Sequence, residues 1–465
     1  MIPQKYYKKM TKTPVSRLVV ILAIPAIISM LITNIYNIAD TYFVGKLGIS
    51  QQGACSVLFT LQTIIQAIAF MLGHGSGAYV SKHLADKNIN KASKYVSTAF
   101  FVGVGLSALL MIFGLLFLED FLYFLGSTDT ILPYAKDYGF WVLLSCPFLV
   151  GSLVLNNNLR YEGKAFYAMF GLVSGGLLNI LGDYLLINKF GLGVYGAGLS
   201  TAISQLISFT ILLIVYIKMA QSKISLKYIS VDAKEYLEIF KVGLPSLLRQ
   251  GLASISNGLL INLVNQYEDV AVSSIGNINR YSSLVMCVGL GVGQGFQPVA
   301  SFNYQAKEYE RVRKSLLFTL GFGFIFVTTL AITGFVLAEP IANFLQEDPL
   351  AIPIATKGIR IASIGVVFLS ISVPVNMLYQ SIRKSTIASF LSLLRSGLTF
   401  IPVLLILSYF FQLDGILWAQ AVSDILSAII CAPFIFHFLI STKKKELKYK
   451  EKIANYVLNP KSWTN

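Results

Sequence analysis

Twelve long apolar runs, separated by short gaps, constrain this chain more than any other feature. They lie near residues 18–43, 53–80, 95–125, 137–158, 166–188, 193–217, 241–265, 272–300, 315–338, 355–380, 386–411 and 415–440. About 20 apolar residues suffice to cross a hydrocarbon core as a helix. A backbone in lipid must satisfy its own hydrogen bonds, so each run reads as a membrane-spanning helix. Only 13% of the 465 residues are charged and 55% are hydrophobic, whereas a soluble domain averages about 25% charged. The expected fold is an all-α polytopic membrane protein with twelve transmembrane helices.

The net charge of +15 is a topology signal and does not point to nucleic acid. Most of the 37 Lys and Arg residues fall in alternate gaps: 1–17, 82–94, 160–164, 218–241, 307–314, 383–384 and 443–465. The gaps between them are short or acidic, as at Glu119-Asp120, Glu268-Asp269 and Glu347-Asp348. The positive-inside rule then puts both termini in the cytoplasm, as an even number of spans requires. The first 17 residues are basic and polar and lead into a run long enough to span, which is no signal-peptide pattern. The Lys-rich tail from Lys443 reads as a solvated, lipid-facing stop. The four cysteines (Cys55, Cys146, Cys287, Cys431) are scattered through apolar contexts and fit neither a disulfide framework nor a metal motif.

The chain repeats itself. Pro25 matches Pro245, Asn37 matches Asn257, Gly73-x-Gly75 matches Gly293-x-Gly295, Ser81 matches Ser301 and Lys164 matches Lys384, each at an offset of 220. Gly196 corresponds to Gly415. Two parallel repeats of six spans each are expected, pseudo-symmetric about an axis along the membrane normal, with a central cavity between two lobes. The expected segments are a cytoplasmic N-terminal stretch (1–17), an N-lobe (18–217), a cytoplasmic linker (218–240), a C-lobe (241–440) and a basic tail (441–465).

Within this apolar background two carboxylates stand out. Asp40 lies in Tyr36-Asn-Ile-Ala-Asp40-Thr-Tyr-Phe-Val-Gly45, and Asp183 in Leu177-Leu-Asn-Ile-Leu-Gly-Asp183. An ionised acid in hydrocarbon costs several kcal/mol, so such a group is protonated, paired or turned to a polar cavity. Asn179 lies four residues before Asp183, on the same helical face. The repeat partners of the two acids are Leu260 and Val403, so the acids belong to the first lobe alone and favour a function there. Neighbouring carboxylates at low dielectric raise each other's proton affinity, which suits a proton carrier. Carboxylate, amide and hydroxyl oxygens equally suit a hard cation such as Na+. Pro25, inside the first span, permits a kink.

Other features have plainer readings. Gly73-x-Gly75-x-Gly77 and Gly291-x-Gly293-x-Gly295 follow no strand and read as close helix packing by small residues rather than phosphate loops. His74 is a lone histidine without a second ligand, so no metal site is expected beyond Na+. Arg249, Arg395 and Asp424 are further intramembrane charges, of which Arg395 and Asp424 can pair. Candidate cavity residues are Tyr36, Asn37, Phe59, Tyr138, Trp141, Asn156, Met169 and Met286. No Walker motif or catalytic set is present, so the chain is not read as an enzyme and no cofactor is expected.

Over about residues 15–440 the chain resembles the multidrug and toxic compound extrusion (MATE) family. The matching pieces are Ile24-Pro25, Asp40-Thr-Tyr-Phe-Val-Gly45-Lys-Leu-Gly48, Gly73-x-Gly75, Asn179-x-x-x-Asp183, Gly196-Ala-Gly-Leu-Ser-Thr201 and the two-lobed repeat. The resemblance implies an alternating-access antiporter of the bacterial plasma membrane, expelling cationic or amphipathic drugs in exchange for H+ or Na+ and acting as a monomer. In its MepA-like and DinF-like branches, the positions of Asp40, Asn179, Asp183 and Thr201 form an N-lobe cation site. The resemblance implies the Ala197 carbonyl as a further ligand and Pro25 as the place where the first helix bends. The acidic residue that the NorM branch carries in span seven is missing here.

The N-lobe spans hold acids and no Arg or Lys, which favours cationic cargo. The alternative is a flippase for a lipid-linked oligosaccharide, which shares this architecture and predicts a basic cavity. A membrane-embedded enzyme would need a convergent catalytic set, and a sensor would need an appended soluble domain; the sequence shows neither.

Overall fold

The computed structural model describes residues 4–267, 269–345 and 348–458. Glu268 and Glu347 of the acidic gaps lie outside the described residues, as do residues 1–3 and 459–465. The described residues are helical, without strands. A short basic helix α1 (Gln4–Lys12) precedes α2 (Val15–Gly45), α3 (Ile49–Ala85), α4 (Ile89–Leu116), α5 (Leu118–Phe124), α6 (Leu132–Tyr161), α7 (Ala165–Asp183) and α8 (Gly193–Met219). After a crossing loop come α9 (Ala233–Val264), α10 (Asp269–Gln305), α11 (Tyr309–Val336), α12 (Ala338–Leu345), α13 (Ala351–Val366), α14 (Leu369–Ser381), α15 (Ser385–Leu393) and α16 (Phe400–Leu458).

Nine helical stretches among the described residues are each long and apolar enough to cross a bilayer, and the pair α13–α14, bent by 46°, makes a tenth. One of the nine, Ser385–Lys452, breaks at Gln412 (φ +52°) and therefore holds two spans. With α9, whose polar residues lower its hydropathy, the total is twelve. The expected run 95–125 is split at Phe117 into α4 and the short α5. The run 355–380 breaks at Val367–Phe368, nearly two turns before Pro374, whose ring cannot bond back to the preceding turn. At the other end of the chain the helix does not stop with the apolar run. It continues to Leu458, tied to the bundle by an Arg313–Glu446 ion pair and by Lys445 Nζ donating to the Tyr304 hydroxyl at 2.8 Å.

The internal repeat is visible in three dimensions. α3 and α10 each span 37 residues, and α4 and α11 each span 28. Lys87 and Lys307 take the same positive φ in equivalent turns, at 59° and 60°. Asn156 on α6 donates to the Ala168 carbonyl at 2.9 Å, and its repeat partner Asn376 on α14 donates to the Ala388 carbonyl at 2.7 Å. Both amides are buried and clamp one helix to the next. Asn156 therefore serves helix packing and does not reach a cavity. Asn156→Ala is expected to cost about 0.5–1.5 kcal/mol, the net worth of a buried hydrogen bond. A lowered thermal unfolding midpoint of the purified protein would show it; an unchanged midpoint would contradict the clamp.

Two seams join the halves, α3 against α9 and α2 against α10. A Cβ on Gly75 of α3 would lie 2.1 Å from the Ile239 carbonyl oxygen of α9, and one on Gly243 of α9 would lie 2.0 Å from the Met71 carbonyl oxygen of α3. In the second seam a Cβ on Gly295 would lie 2.4 Å from the Ala23 backbone of α2. Backbones this close need glycine, which confirms the packing role of the Gly-x-Gly stretches. Hydrogen bonds between the halves gather at the same end, including Ser301 Oγ to the Ala78 carbonyl (3.2 Å) and Arg311 to the Thr13 carbonyl (2.7 Å). The bundle is thus closed at the end that carries the basic loops.

Candidate functional site

Three helices bring the acidic residues together in the first half. α2 packs on α7, and α7 on α8. Near the end of α2 the Asp40 side chain is buried, and at the end of α7 Asn179 and Asp183 are buried beside it. Asp183 lies close enough to Asp40 to feel its charge. Immediately after Asp183 the helix widens into a π turn, Tyr184–Lys189, a distortion common at functional sites. The start of α8 supplies Ala197, Ser200, Thr201 and Ser204, all buried.

The pocket's hydrogen bonds are incomplete. Asp40 Oδ2 accepts from the Tyr138 hydroxyl at 2.5 Å and from Cys55 Sγ at 3.7 Å. Asn179 Nδ2 donates to Thr201 Oγ1 at 3.2 Å, and Ser200 Oγ donates to the Asn179 carbonyl at 2.9 Å. Asp40 Oδ1, both carboxylate oxygens of Asp183 and Asn179 Oδ1 remain buried without a partner. Unpaired buried acceptors are costly. Four of them in one pocket form a set that a proton or a hard cation would complete. The oxygen-only character of this set fits Na+, and two neighbouring acids fit protons equally well.

A separate cavity lies between the halves, with about 840 Å³ of empty space, part of it open to solvent. Met30, Thr33 and Tyr36 of α2 form one wall. Tyr36 stands one turn before Asp40 on α2, and Gln205 of α8 lines the same cavity. Tyr36 thus lines the cavity one turn from the buried Asp40. Pro25 sits lower on the same helix, where Ser29 Oγ takes up its carbonyl at 2.8 Å. α2 remains one continuous helix through this proline.

The other expected cavity residues are placed differently. Tyr138 is spent on Asp40, and Trp141 packs on Tyr195 with its indole N–H unpaired. Asn37 is half-buried, its carbonyl accepting from Thr41, and Met169 is half-buried on α7; neither lines the cavity. Phe59 is exposed on α3. Met286 borders a smaller neighbouring cleft, where its sulfur lies 3.2 Å from Arg395. Arg395 pairs with Asp424 at 2.9 Å, as their spans allow.

Sequence reading missed the polar floor. Gln66, Gln205, Gln250, Gln294, His74 and Arg249 converge there from four helices, α3, α8, α9 and α10. Single amides in apolar runs were the available signal, but nothing local says that they meet. His74 is buried between Ser246 Oγ (2.9 Å from Nδ1) and Arg160 Nη2 (3.1 Å from Nε2). A guanidinium only donates, so Nε2 is the bare nitrogen and His74 is neutral. Among the described residues no group of His, Cys, Asp and Glu forms a metal site.

A sequence profile of the MatE family matches residues 25–185 and 245–406, one stretch in each half. The chain belongs to the MatE family. As a member it is a multi-pass membrane transporter, not an enzyme, and needs no cofactor. It is 26% identical over 439 residues to the multidrug export protein MepA of Staphylococcus aureus, covering 93% of this chain and 96% of that protein. With MepA of Staphylococcus saprophyticus it shares 25% over 419 residues, 89% of this chain and 92% of the relative. In structure it matches an outward-facing multidrug resistance MATE family transporter of the MOP superfamily. That match has a TM-score of 0.89 at 21% identity and covers 96% of this chain and 100% of the other. That likeness places this MatE chain in the same twelve-helix, two-lobed fold.

Proposed function

We propose that this MatE protein is a secondary active exporter of amphipathic organic compounds, driven by inward flow of H+ or Na+. The observation that carries the reading is the set of four unpaired buried acceptor oxygens on Asp40, Asp183 and Asn179, one helical turn from the cavity wall at Tyr36. The ion is bound by Asp40, Asp183 and Asn179, with Thr201 and the Ala197 carbonyl completing the shell. Ion and cargo occupy different chambers and communicate through α2, which carries Asp40 to one and Tyr36 to the other. Occupancy of the acid pocket biases α2, with Pro25 as its hinge, between two access states. The MepA names of the relatives support multidrug cargo. The N-lobe spans 18–217 and the C-lobe 241–440, with the basic loops and both termini in the cytoplasm of a bacterial cell. In that orientation the closed seams face inward and the cavity faces out.

The test is transport of ethidium, a cation, and of carboxyfluorescein, an anion, in everted membrane vesicles. The proton gradient and the sodium gradient are collapsed separately. Movement of at least one dye is expected to stop when one of the two gradients is removed. If neither dye moves under either gradient, the exporter reading fails. The flippase reading gains from one observation, the basic floor of the cavity.

A further inference from the structure

The floor of the cavity is cationic, and among the described residues no carboxylate pairs with it. Arg249 comes from the middle of α9, where an ionisable side chain needs a partner or a polar cavity. Its guanidinium makes one hydrogen bond, to Asn376 Oδ1 at 3.1 Å, and borders both the central cavity and the neighbouring cleft. The nearest charged side chain acting on it is Arg395, of like sign, and among the described residues no carboxylate pairs with it. Beneath it Arg160 is 4% exposed, and its Nε and Nη1 have no partner. The remaining nitrogen bonds His74 and the Asn157 side chain. Asp424, the carboxylate on that side, is already held by Arg395 and by Gln420 Nε2, each at 2.9 Å. Asp40 and Asp183 of the first half are not among the side chains that line either space.

A buried guanidinium without a carboxylate is expensive to desolvate. Arg249 at the cavity, with Arg160 buried behind His74, leaves an uncompensated positive centre that an incoming anion would neutralise. The fork of Arg249 matches the two oxygens of a carboxylate, sulfonate or phosphate. Above it the walls are apolar, with Met30, Phe70, Leu149, Leu153, Leu172 and Leu290 facing the space. We infer that Arg249, backed by Arg160 through His74, forms an oxyanion subsite that takes the anionic group of an amphipathic substrate. The cargo of this transporter then carries a carboxylate, sulfonate or phosphate. The sequence leaning toward cationic cargo rested on the charges of one lobe, whereas Arg249 reaches the cavity from the other.

The inference deepens the exporter reading and depends on it only for the route by which cargo leaves. Its test is equilibrium binding, which needs no transport. Fluorescence polarisation would follow carboxyfluorescein and rhodamine 6G on the purified full chain, with farnesyl pyrophosphate as competitor. The wild type is expected to bind carboxyfluorescein, and Arg249→Gln to bind it about tenfold or more weakly. Rhodamine 6G binding should not weaken in that variant. Displacement by farnesyl pyrophosphate would mark a lipid pyrophosphate as cargo; its failure to displace would mark a small anionic amphipath. A folded Arg249→Gln chain that binds the anion like the wild type overturns the inference, as does a wild type that binds rhodamine 6G and neither anion. Should the Gln variant not fold, Arg249→Lys decides, since it keeps the charge and loses the fork. Its anion affinity must fall, and an unchanged affinity overturns the subsite.

Discussion

Asp183→Asn is expected to lower gradient-driven export about 5–150-fold, the range that a coupling free energy of ~1–3 kcal/mol produces. The substitution keeps size and shape and removes the charge. Both Asp183 oxygens are buried and unpaired, so the amide changes what the pocket can bind while no existing hydrogen bond is broken. A proton or cation that no longer distinguishes the two access states cannot shift their populations, however tightly cargo binds. Dye binding to the purified variant should therefore stay near wild type while export in vesicles falls. Wild-type export by Asp183→Asn would move the coupling site out of the acid pocket. Loss of binding and export together would mean that pocket and cavity are one site, against the two-chamber proposal.

Gly75→Ala and Gly243→Ala should have the largest effect on conformation. Each added Cβ meets a carbonyl oxygen of the opposite helix at 2.1 and 2.0 Å. Those atoms belong to backbone, which cannot swing aside as a side-chain tip can. Overpacking of this kind costs about 1–3 kcal/mol, here charged to the state in which α3 and α9 are in contact. A bias of 1.4 kcal/mol changes a population ratio about tenfold. The variants should therefore favour the state with this end open. The readout is maleimide labelling of a cysteine placed at Ala78, buried at the same end, in a chain whose four native cysteines are replaced by serine. Faster labelling from the side of the basic loops is expected. Unchanged labelling in both variants would show that the seam does not limit access.

Much of this molecule was legible before its structure. The apolar runs gave twelve spans because hydropathy is a local property and lipid forces each span to be a helix. The offset of 220 gave the two halves, and in space it reappears as paired turns, at Lys87 and Lys307, and paired clamps, at Asn156 and Asn376. Asp40 and Asp183 stood out because a carboxylate in an apolar run is costly enough to need a reason. Asn156 misled because a buried amide in a span reads the same whether it clamps a helix or faces a cavity. Tyr138 misled likewise: its hydroxyl serves Asp40.

The sequence by itself determined the membrane class, the number of spans, the repeat and the residues worth suspecting. Each of these follows from the free energy of one segment in lipid, or from one half resembling the other. The tertiary structure alone decided that Asp40 and Asp183 are not among the side chains lining the central cavity, and that Arg249 lines it with Arg160 behind His74 and, among the described residues, no paired carboxylate. Those are statements about which side chains from distant helices share a volume. Packing sets that, and no local hydropathy or spacing encodes it.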